Sequence, residues 1–330
     1  MGTNHGRVSR KIRDVEITCV IDPLADRART LAETFGAKHS SHLPDVLGLA
    51  DAAVVAVPTN LHRPVSEFLL GQGLHVLVEK PLAHRVEDAR ALVKCAKDAG
   101  RLLQVGHVER FNPAVMKLGH VVRDLIHIDI QRIGPFSERV ADGVILDLMI
   151  HDLDIARWLA QGAVRHVSAI AQHVTAARDE DLASALVTFE NGITACLTAS
   201  RVGQNKIRSL SLTQAQDFVS VDLLRQSVTI HRVDHAEYLG ETGMSFSQTG
   251  VIEVPFIEGS GEPLLLELEA FVKACLDGTQ PLVSGEDGLR ALELAERVRA
   301  ESMRTATAPG PAQPAPENTE PYTEMPTLPF

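Results

Sequence analysis

The chain has 330 residues, of which 45% are hydrophobic and 23% are charged, and its formal net charge is −11. This length and apolar content predict a substantial buried core and favour two domains. An acidic surface is not expected to take a nucleic-acid backbone or an anionic membrane as its main partner. No apolar run approaches the roughly 20 residues that span a bilayer, and the N-terminus has no signal-peptide pattern, so we expect a cytoplasmic protein.

The four cysteines lie far apart in the sequence and form no C-x-x-C pair. They are Cys19, Cys95, Cys196 and Cys275. This spacing predicts neither a zinc knuckle nor a disulfide framework. It is typical of reduced thiols in the cytosol.

The first hundred residues alternate between two kinds of apolar pattern. A helix-like stretch containing Gly2 and Gly6 comes first, and helical spacing returns at Ala28, Ala32 and Phe35. The short apolar runs VEITCVI, DAAVVAV, LHVLVE and RLLQVG are typical of strands covered on both faces. A βαβα pattern predicts a parallel sheet with right-handed crossovers, and so an α/β Rossmann-like domain over residues 1–107.

After Gly106 the pattern changes to that of an α+β domain, over residues 108–305. Helices are predicted from Pro113 to about Leu125 and from Val144 to about Leu159, with the strand IHIDIQRI between them. The runs VRHVSAIAQHVT, ASALVTFE, ITACLTAS, RSLSLTQ, DFVSVDL and QSVTIHR then predict a mostly antiparallel open sheet. Asn191 and Gly192 mark a tight hairpin in that series.

Two further helices are predicted near the end of the chain, from Pro263 to Leu276 and from Glu286 to about Arg304. The remaining residues, 306–330, are rich in proline and predict a disordered tail.

Asp22 ends the first apolar run. An acid at the carboxyl end of the second strand of a doubly wound sheet can accept hydrogen bonds from the ribose hydroxyls of an adenosine. An ordinary N-cap for the following helix is about as plausible from this residue alone. Gly2 favours the cofactor interpretation, because it lies about 20 residues earlier, where a G-x-G-x-x-G fingerprint ends.

If Gly2 is the last glycine of the fingerprint, then the first strand and the first two glycines of that motif have no counterpart in the sequence. That strand is internal in the order 3-2-1-4-5-6, and its absence would leave two unpaired strand edges. We therefore expect the functional protein to begin roughly ten residues upstream of Met1. A chain that begins at Met1 is expected to bind a dinucleotide weakly, because most glycine-loop amides would be missing.

Lys80 directly follows a buried-looking strand, and Pro81 turns the chain after it. A lysine at the carboxyl edge of a parallel sheet faces the ligand crevice, where it can donate to an oxygen. On this stretch alone, a solvated loop lysine is the commoner outcome.

The stretch GVILDLMIHDLDIARWL places Asp147 and His151 at i and i+4 if it is helical. A carboxylate and an imidazole held together on one helix can serve as an oriented acid and base. A plain surface helix is the first alternative, but the many apolar neighbours oppose it. A metal site using His151 and Asp154 is the second, and no other histidine at helical spacing supports it, so no metal is expected.

Together these stretches resemble the Gfo/Idh/MocA oxidoreductase family. The motifs that carry the resemblance, after the acid-ended strand, are V-P-T-x-x-H at 57–62, E-K-P at 79–81, G-H-V-E-R-F-N-P at 106–113 and D-x-x-x-H-D at 147–152. They occur in order, and the match runs from Gly2 to about Arg304. Within the family, VGHVERFNPAV, RIGPF, GVILDLMIHDLDI and PLVSGEDGLRALELA resemble the branch that acts on UDP-N-acetylglucosamine.

The resemblance implies an NAD-dependent dehydrogenase that oxidises a secondary hydroxyl of a sugar, such as a nucleotide sugar. It implies that His151 takes the hydroxyl proton, that Lys80 hydrogen-bonds the reacting oxygen, and that Asp147 orients the substrate or the imidazole. The cofactor-binding residues that it implies are Gly2, Asp22, Thr59, Asn60, His62, Glu79 and Lys80.

The resemblance also implies substrate contacts from Arg110, Asn112 and Arg132, with Arg132 and Arg139 placed to meet a diphosphate. NAD is favoured over NADP because no arginine directly follows Asp22, although Arg27 and Arg29 are close in sequence. Family members commonly form homodimers or homotetramers through the open sheet, and the same is expected here.

Two other classes of function remain open from the sequence. One is a non-catalytic relative that uses the fold for binding or assembly. The other is a metal-dependent lyase or hydrolase built on His151 and the nearby aspartates.

Overall fold

The computed structural model describes residues 1–136, 143–174, 179–240, 243–257 and 261–305. The proline-rich stretch predicted to be a disordered tail lies outside these ranges. Eight α-helices occur in the described residues: α1 Gly2–Ser9, α2 Ala25–Phe35, α3 His62–Gly71, α4 Val86–Ala99, α5 Pro113–Val121, α6 Ile150–Ala160, α7 Pro263–Asp277 and α8 Gly285–Thr305.

The strands of the N-terminal half are β1 Cys19–Ile21, β2 Lys38–Ser40, β3 Ala52–Val55, β4 His75–Glu79 and β5 Leu103–Gly106. Those of the second half are β6 Leu125–Ile133, β7 Val164–Gln172, β8 Leu182–Phe189, β9 Thr194–Ser200, β10 Ile207–Gln214, β11 Asp217–Asp222, β12 Ser227–Gly240 and β13 Gly243–Glu253.

The N-terminal strands are all parallel, but they form two sheets and not the single sheet that the alternation predicts. Strand β1 pairs with β2, and the three-stranded sheet has the order β3-β4-β5. In the strand order 3-2-1-4-5-6, the position of the first strand falls between these two sheets. The helical crossovers place the carboxyl ends of β3, β4 and β5 at one edge, and this is the Rossmann-like arrangement.

Helix α1 is held by a close contact with α2 and by ion pairs with α7. A Cβ atom added to Gly6 would lie 2.3 Å from the ring of Phe35, so any other residue there would require that half-buried ring to move. Val8 is buried against α7 residues, and Arg7 and Lys11 both pair with Glu262. The segment before the first strand therefore packs as a helix on the body of the protein.

The C-terminal sheet has eight strands in the order β13-β12-β11-β10-β6-β9-β8-β7. All neighbouring strands are antiparallel except β6 and β9, which are parallel. The hairpin predicted at Asn191 and Gly192 joins β8 to β9, with Gly192 at φ +87°. The prediction of a mostly antiparallel open sheet is confirmed, and the sheet extends through β13, which the sequence patterns did not reveal.

One face of this sheet is buried and the other is partly open. On β6, Ile128 and Ile130 are buried beneath the helices, whereas His127 and Asp129 point to the opposite face and are half-buried. Helix α8 packs against β7, α6 and α4, and so joins the two halves of the protein. None of the described helices combines the length and the apolar character that a membrane crossing requires.

Two predicted helices are corrected by the structure. The helix from Pro113 ends at Val121 and not near Leu125, because Asp124 adopts φ +43° and the chain enters β6. The helix predicted from Val144 to Leu159 begins with a π-helical turn at Ile145–Met149, and α-helix α6 follows it.

Candidate active site

The carboxyl end of β4 meets the start of α6 through Lys80. The Lys80 Nζ donates to the backbone oxygen of Asp147 at 2.6 Å and to its Oδ1 at 3.0 Å. Both side chains are partly accessible, at 18% for Lys80 and 24% for Asp147. An ammonium from the Rossmann-like half and a carboxylate from the second half therefore meet at a point that solvent can reach.

Asp147 lies in a π-helical turn and presents two acceptors to Lys80, its backbone oxygen and its Oδ1. A π-turn carries an extra residue relative to an α-helix, and such turns are frequent at functional sites. Asp147 lies in this turn, and its side chain forms its ion pair with Lys80 and not with His151. The segment begins with a π-turn and not with the plain α-helix that the sequence predicts, and the pairing of Asp147 with His151 stays a prediction.

His151 lies in the first turn of α6 and is 9% exposed. Its Nδ1 is buried and has no hydrogen-bond partner among the described residues. Burial lowers the pKa of His151 well below its ordinary value, and the positive charges of Lys80 and Arg132 lower it further. The imidazole is therefore neutral near pH 7 and keeps a lone pair for a proton.

A second imidazole, His107, lies beside His151 and was missed as a site residue. The two rings are nearly perpendicular, with centroids 5.8 Å apart. His107 follows β5 at the same sheet edge as Lys80, is 1% exposed, and leaves both ring nitrogens without partners in the described structure. Burial lowers its pKa as well. Its position directly after Gly106 at a strand end was the signal available in the sequence.

Glu79, expected to line the cofactor crevice, is 8% exposed and faces the interior. Its Oε1 lies 2.6 Å from the Nε2 of His5 on α1. Nearby, Glu267 of α7 is fully buried with both carboxylate oxygens unpartnered, and burial together with Glu79 raises its pKa well above the ordinary value. Burial therefore favours the protonated form of Glu267.

The loop after β3 places the other predicted cofactor residues. Thr59 and Asn60 lie in a short 3₁₀ turn, half-buried and exposed respectively. His62 begins α3, is buried, and its ring nitrogens lie 2.8 Å from the Pro81 oxygen and 3.1 Å from the Val57 oxygen. His62 thus joins the loops after β3 and β4 and fixes the edge on which Lys80 lies.

Asp22 follows β1 and is half-buried. Its Oδ1 accepts a hydrogen bond from the Leu24 amide at 2.9 Å, and its Oδ2 lies 3.7 Å from the Nε of Arg27. Asp22 therefore supports the turn into α2, although the N-cap position itself belongs to Leu24. Gly2 is the first residue of α1, and a Cβ atom added there would have no neighbour within 4 Å among the described residues. Cofactor contacts by Asp22 and Gly2 stay predictions.

Arg132, predicted to bind substrate, lies in a buried ionic cluster with an exposed fraction of 3%. Its guanidinium donates to both oxygens of Asp152 at 2.7–3.0 Å and to Glu109 at 2.8 Å. Burial alone would lower the pKa of Arg132, but Asp152 and Glu109 raise it above its ordinary value. A substrate contact stays a prediction, and these bonds oppose it because they already occupy the guanidinium.

Arg110 and Asn112 are also engaged within the protein. Arg110 is buried, lies 3.5 Å from the carboxylate of Asp154, and stacks 4.5 Å from the ring of Trp158. Asn112 caps α5 by accepting from the Ala114 amide and donates to the Leu223 oxygen at 2.9 Å. Arg139 lies outside the described residues.

Arg208 is a further cation that the sequence patterns did not single out. It lies on β10 directly opposite Arg132 on β6, and one of its nitrogens donates to Glu109 at 2.8 Å. Its side chain remains 30% exposed, and its charge contributes to the lowered pKa of His151. Arg208 is therefore an accessible guanidinium near the candidate base.

The fold and this cluster together define a two-domain oxidoreductase with a dinucleotide-binding half. Residues 1–107 match the model of an oxidoreductase family with an NAD-binding Rossmann fold, and residues 118–213 match the GFO/IDH/MocA C-terminal domain.

UDP-N-acetylglucosamine 3-dehydrogenase from Acidithiobacillus ferrooxidans is 30% identical over 86% of this chain and 89% of that protein. A solved structure of that enzyme matches with a TM-score of 0.81 at 28% identity, over 91% of this chain and 94% of the other. The NAD⁺-dependent scyllo-inositol 2-dehydrogenase of Bacillus subtilis is 28% identical over 84% of each chain.

The chain belongs to the Gfo/Idh/MocA oxidoreductase family. It is an NAD-dependent dehydrogenase that acts on CH–OH groups, as the sequence predicted.

Proposed function

We propose that the protein oxidises a secondary hydroxyl of a nucleotide sugar, with UDP-N-acetylglucosamine as the leading candidate. The observation that carries the proposal is the contact of Lys80 with Asp147 beside a neutral His151. Support for the substrate class comes from the relative of 30% identity that bears this activity.

The residues at the sheet edge suit an NAD molecule. A half-buried carboxylate, Asp22, lies at the carboxyl end of β1, where ribose hydroxyls can donate to it. Thr59, Asn60 and Lys80 follow at the ends of β3 and β4. Bound NAD⁺ supplies the hydride acceptor.

The chain's own residues handle the proton. Lys80 donates a hydrogen bond to the carbinol oxygen and stabilises negative charge there. His151 takes the hydroxyl proton as the C–H bond gives up its hydride, so that a carbonyl forms. Asp147 holds the ammonium of Lys80 in place through its two oxygens.

Arg208 replaces Arg132 in this proposal as the cation for the substrate's diphosphate. It is more exposed than Arg132, and among the described residues its side chain donates through one nitrogen, to Glu109. A guanidinium with free N–H groups can bind a phosphate through two parallel hydrogen bonds.

The test is NADH formation followed by absorbance with three substrates: UDP-N-acetylglucosamine, free N-acetylglucosamine and scyllo-inositol. We expect turnover of the UDP sugar, and an Arg208→Met variant in which KM for that substrate rises about tenfold or more. His166→Ala, on the exposed side of β7, is the control variant. Turnover of scyllo-inositol with none of the UDP sugar would make the protein a polyol dehydrogenase.

We also propose that the protein is cytoplasmic and that two copies associate through the open face of the eight-stranded sheet. Ile170, Leu186 and Phe218 are exposed there, at 41–52%. Light scattering during gel filtration should give a dimer or a tetramer, and a Leu186→Lys variant should shift it toward monomer. A monomer for the unaltered chain would contradict this part of the proposal.

A further inference from the structure

The partly open face of the C-terminal sheet carries three different metal-ligating side chains at one point. They are His127 and Asp129 on β6 and Cys196 on β9, all half-buried. Each offers one ligand atom, and these atoms lie within 4.8 Å of one another. The cluster is remote in sequence from Lys80 and the His151 segment, and those residues take no part in it.

The strand register holds the three residues together. Strands β6 and β9 are parallel, with Asp129 opposite Cys196 and His127 opposite Thr194. Side chains alternate along a strand, so His127 and Asp129 share a face, and the intervening Ile128 is buried on the other. The backbone therefore fixes three ligands of different chemistry on one side of a rigid sheet.

Charge also favours a cation at this point. Asp129 forms no ion pair with a lysine or arginine in the part of the chain that the structure describes. A half-buried carboxylate without a cation loses solvation and gains nothing in return. A bound cation would compensate that charge and would also hold the thiolate.

The orientation of His127 fits a ligand. Its Nδ1 lies 2.7 Å from the hydroxyl of Thr194. When the hydroxyl accepts from Nδ1–H, the lone pair is on Nε2. An outer partner of this kind typically fixes the ring of a metal-binding histidine.

We propose that His127, Asp129 and Cys196 bind one divalent transition-metal cation, with Zn²⁺ as the best match. Imidazole, thiolate and carboxylate together suit zinc, whereas Mg²⁺ and Ca²⁺ take oxygen ligands. Zinc-ligand distances of about 2.0–2.3 Å imply ligand separations of about 3.3–3.8 Å, so small rotamer changes close the cluster. Because this face, beside Leu186, is also the proposed contact between copies, a water or a group of the second copy completes the tetrahedron, and the Cys196 proton passes to solvent on binding.

The test uses Co²⁺ as a spectroscopic substitute for Zn²⁺, added to the full chain without NAD or substrate. We expect one equivalent of Co²⁺ to produce a thiolate-to-metal charge-transfer band in the near ultraviolet, and Zn²⁺ to abolish it. Cys196→Ser should remove the band, and Cys275→Ser on α7 should keep it. Thr194→Val should weaken binding about 10–100-fold.

The two alternative results are equally clear. A band that survives in Cys196→Ser, or the lack of any band with the unaltered chain, would overturn the proposal. Circular dichroism of each variant checks that the sheet is intact. Because the titration involves no turnover, its outcome is separate from that of the dehydrogenase test.

Discussion

Helix α6 borders two clusters of ionisable side chains that differ in how completely their polar atoms are satisfied. In the first, Arg132 and Asp152 are buried and joined by several hydrogen bonds. In the second, His151 and His107 are also buried, but three of their ring nitrogens have no partner within the described structure. Unpaired buried polar atoms are costly, so a protein keeps them chiefly where a ligand will use them.

The comparison separates supporting residues from reacting ones. Asp152 follows His151 directly, yet it holds the Arg132 guanidinium inside the protein, whereas the His151 imidazole is close enough to Lys80 for that charge to lower its pKa. The D-x-x-x-H-D motif thus combines two tasks within six residues.

The largest effect is expected from His151→Ala. Removing the base should lower kcat about 10²–10⁴-fold, and the cavity that the buried ring leaves should lower thermal stability as well. Steady-state NADH formation and a melting curve measure the two quantities. Normal turnover would show that another group takes the proton.

Arg132→Met should act on stability. It would leave Asp152 buried without this cation, which typically costs about 3–5 kcal/mol, whereas Glu109 would keep its contact with Arg208. Urea unfolding measures this loss. Lys94→Met, which removes the exposed ion pair with Asp98, should change stability very little. If Arg132→Met were as stable as the parent and only raised KM, Arg132 would belong to the substrate site after all.

Glu267→Gln should change the pH dependence of stability. The pKa of Glu267 is raised in the folded protein, so the folded chain keeps a proton that the unfolded chain loses above about pH 4.3. Stability of the parent should therefore fall as pH rises from there to the folded-state pKa, by at most about 1.4 kcal/mol per pH unit from this group. Melting curves of the variant between about pH 5 and 8 should not show this fall in stability with rising pH. Parallel curves for both proteins would mean that Glu267 has a partner in solution.

The smallest effect is expected from His107→Leu. Replacing an imidazole whose nitrogens lack partners with an apolar group should raise the free energy of unfolding by about 1 kcal/mol. Activity should fall at the same time if a ligand or water uses those nitrogens. The control variant is His107→Asn, which keeps a polar side chain at this position. A loss of stability would show that His107 is already satisfied.

The sequence predicted much of the fold because apolar periodicity is a local property. The runs around Val78 and Val105 became buried parallel strands, and the Asn191 and Gly192 turn became a hairpin. Strand β13 was missed because its polar sequence lacks a regular alternation. The division into residues 1–107 and 108–305 stays a prediction.

The site was harder to predict because side-chain partners depend on distant contacts. Lys80 was placed correctly at a strand end, yet its pairing with Asp147 depends on a π-helical turn that no spacing rule signals. Arg132 was predicted as a ligand cation and Arg208 was not singled out, yet the two lie opposite each other on β6 and β10, and it is Arg132 that is enclosed. His107 gave little signal because a lone histidine is usually structural.

The π-helical turn at Ile145–Met149 has a consequence for how this site can change. A helix advances about 100° per residue, so deleting one residue there would convert the turn to regular helix and rotate Asp147 away from Lys80. Helix α6 and the sheet beneath it would keep their packing. A single codon lost or gained at this point could therefore switch catalytic competence off or on in a descendant gene without unfolding its product.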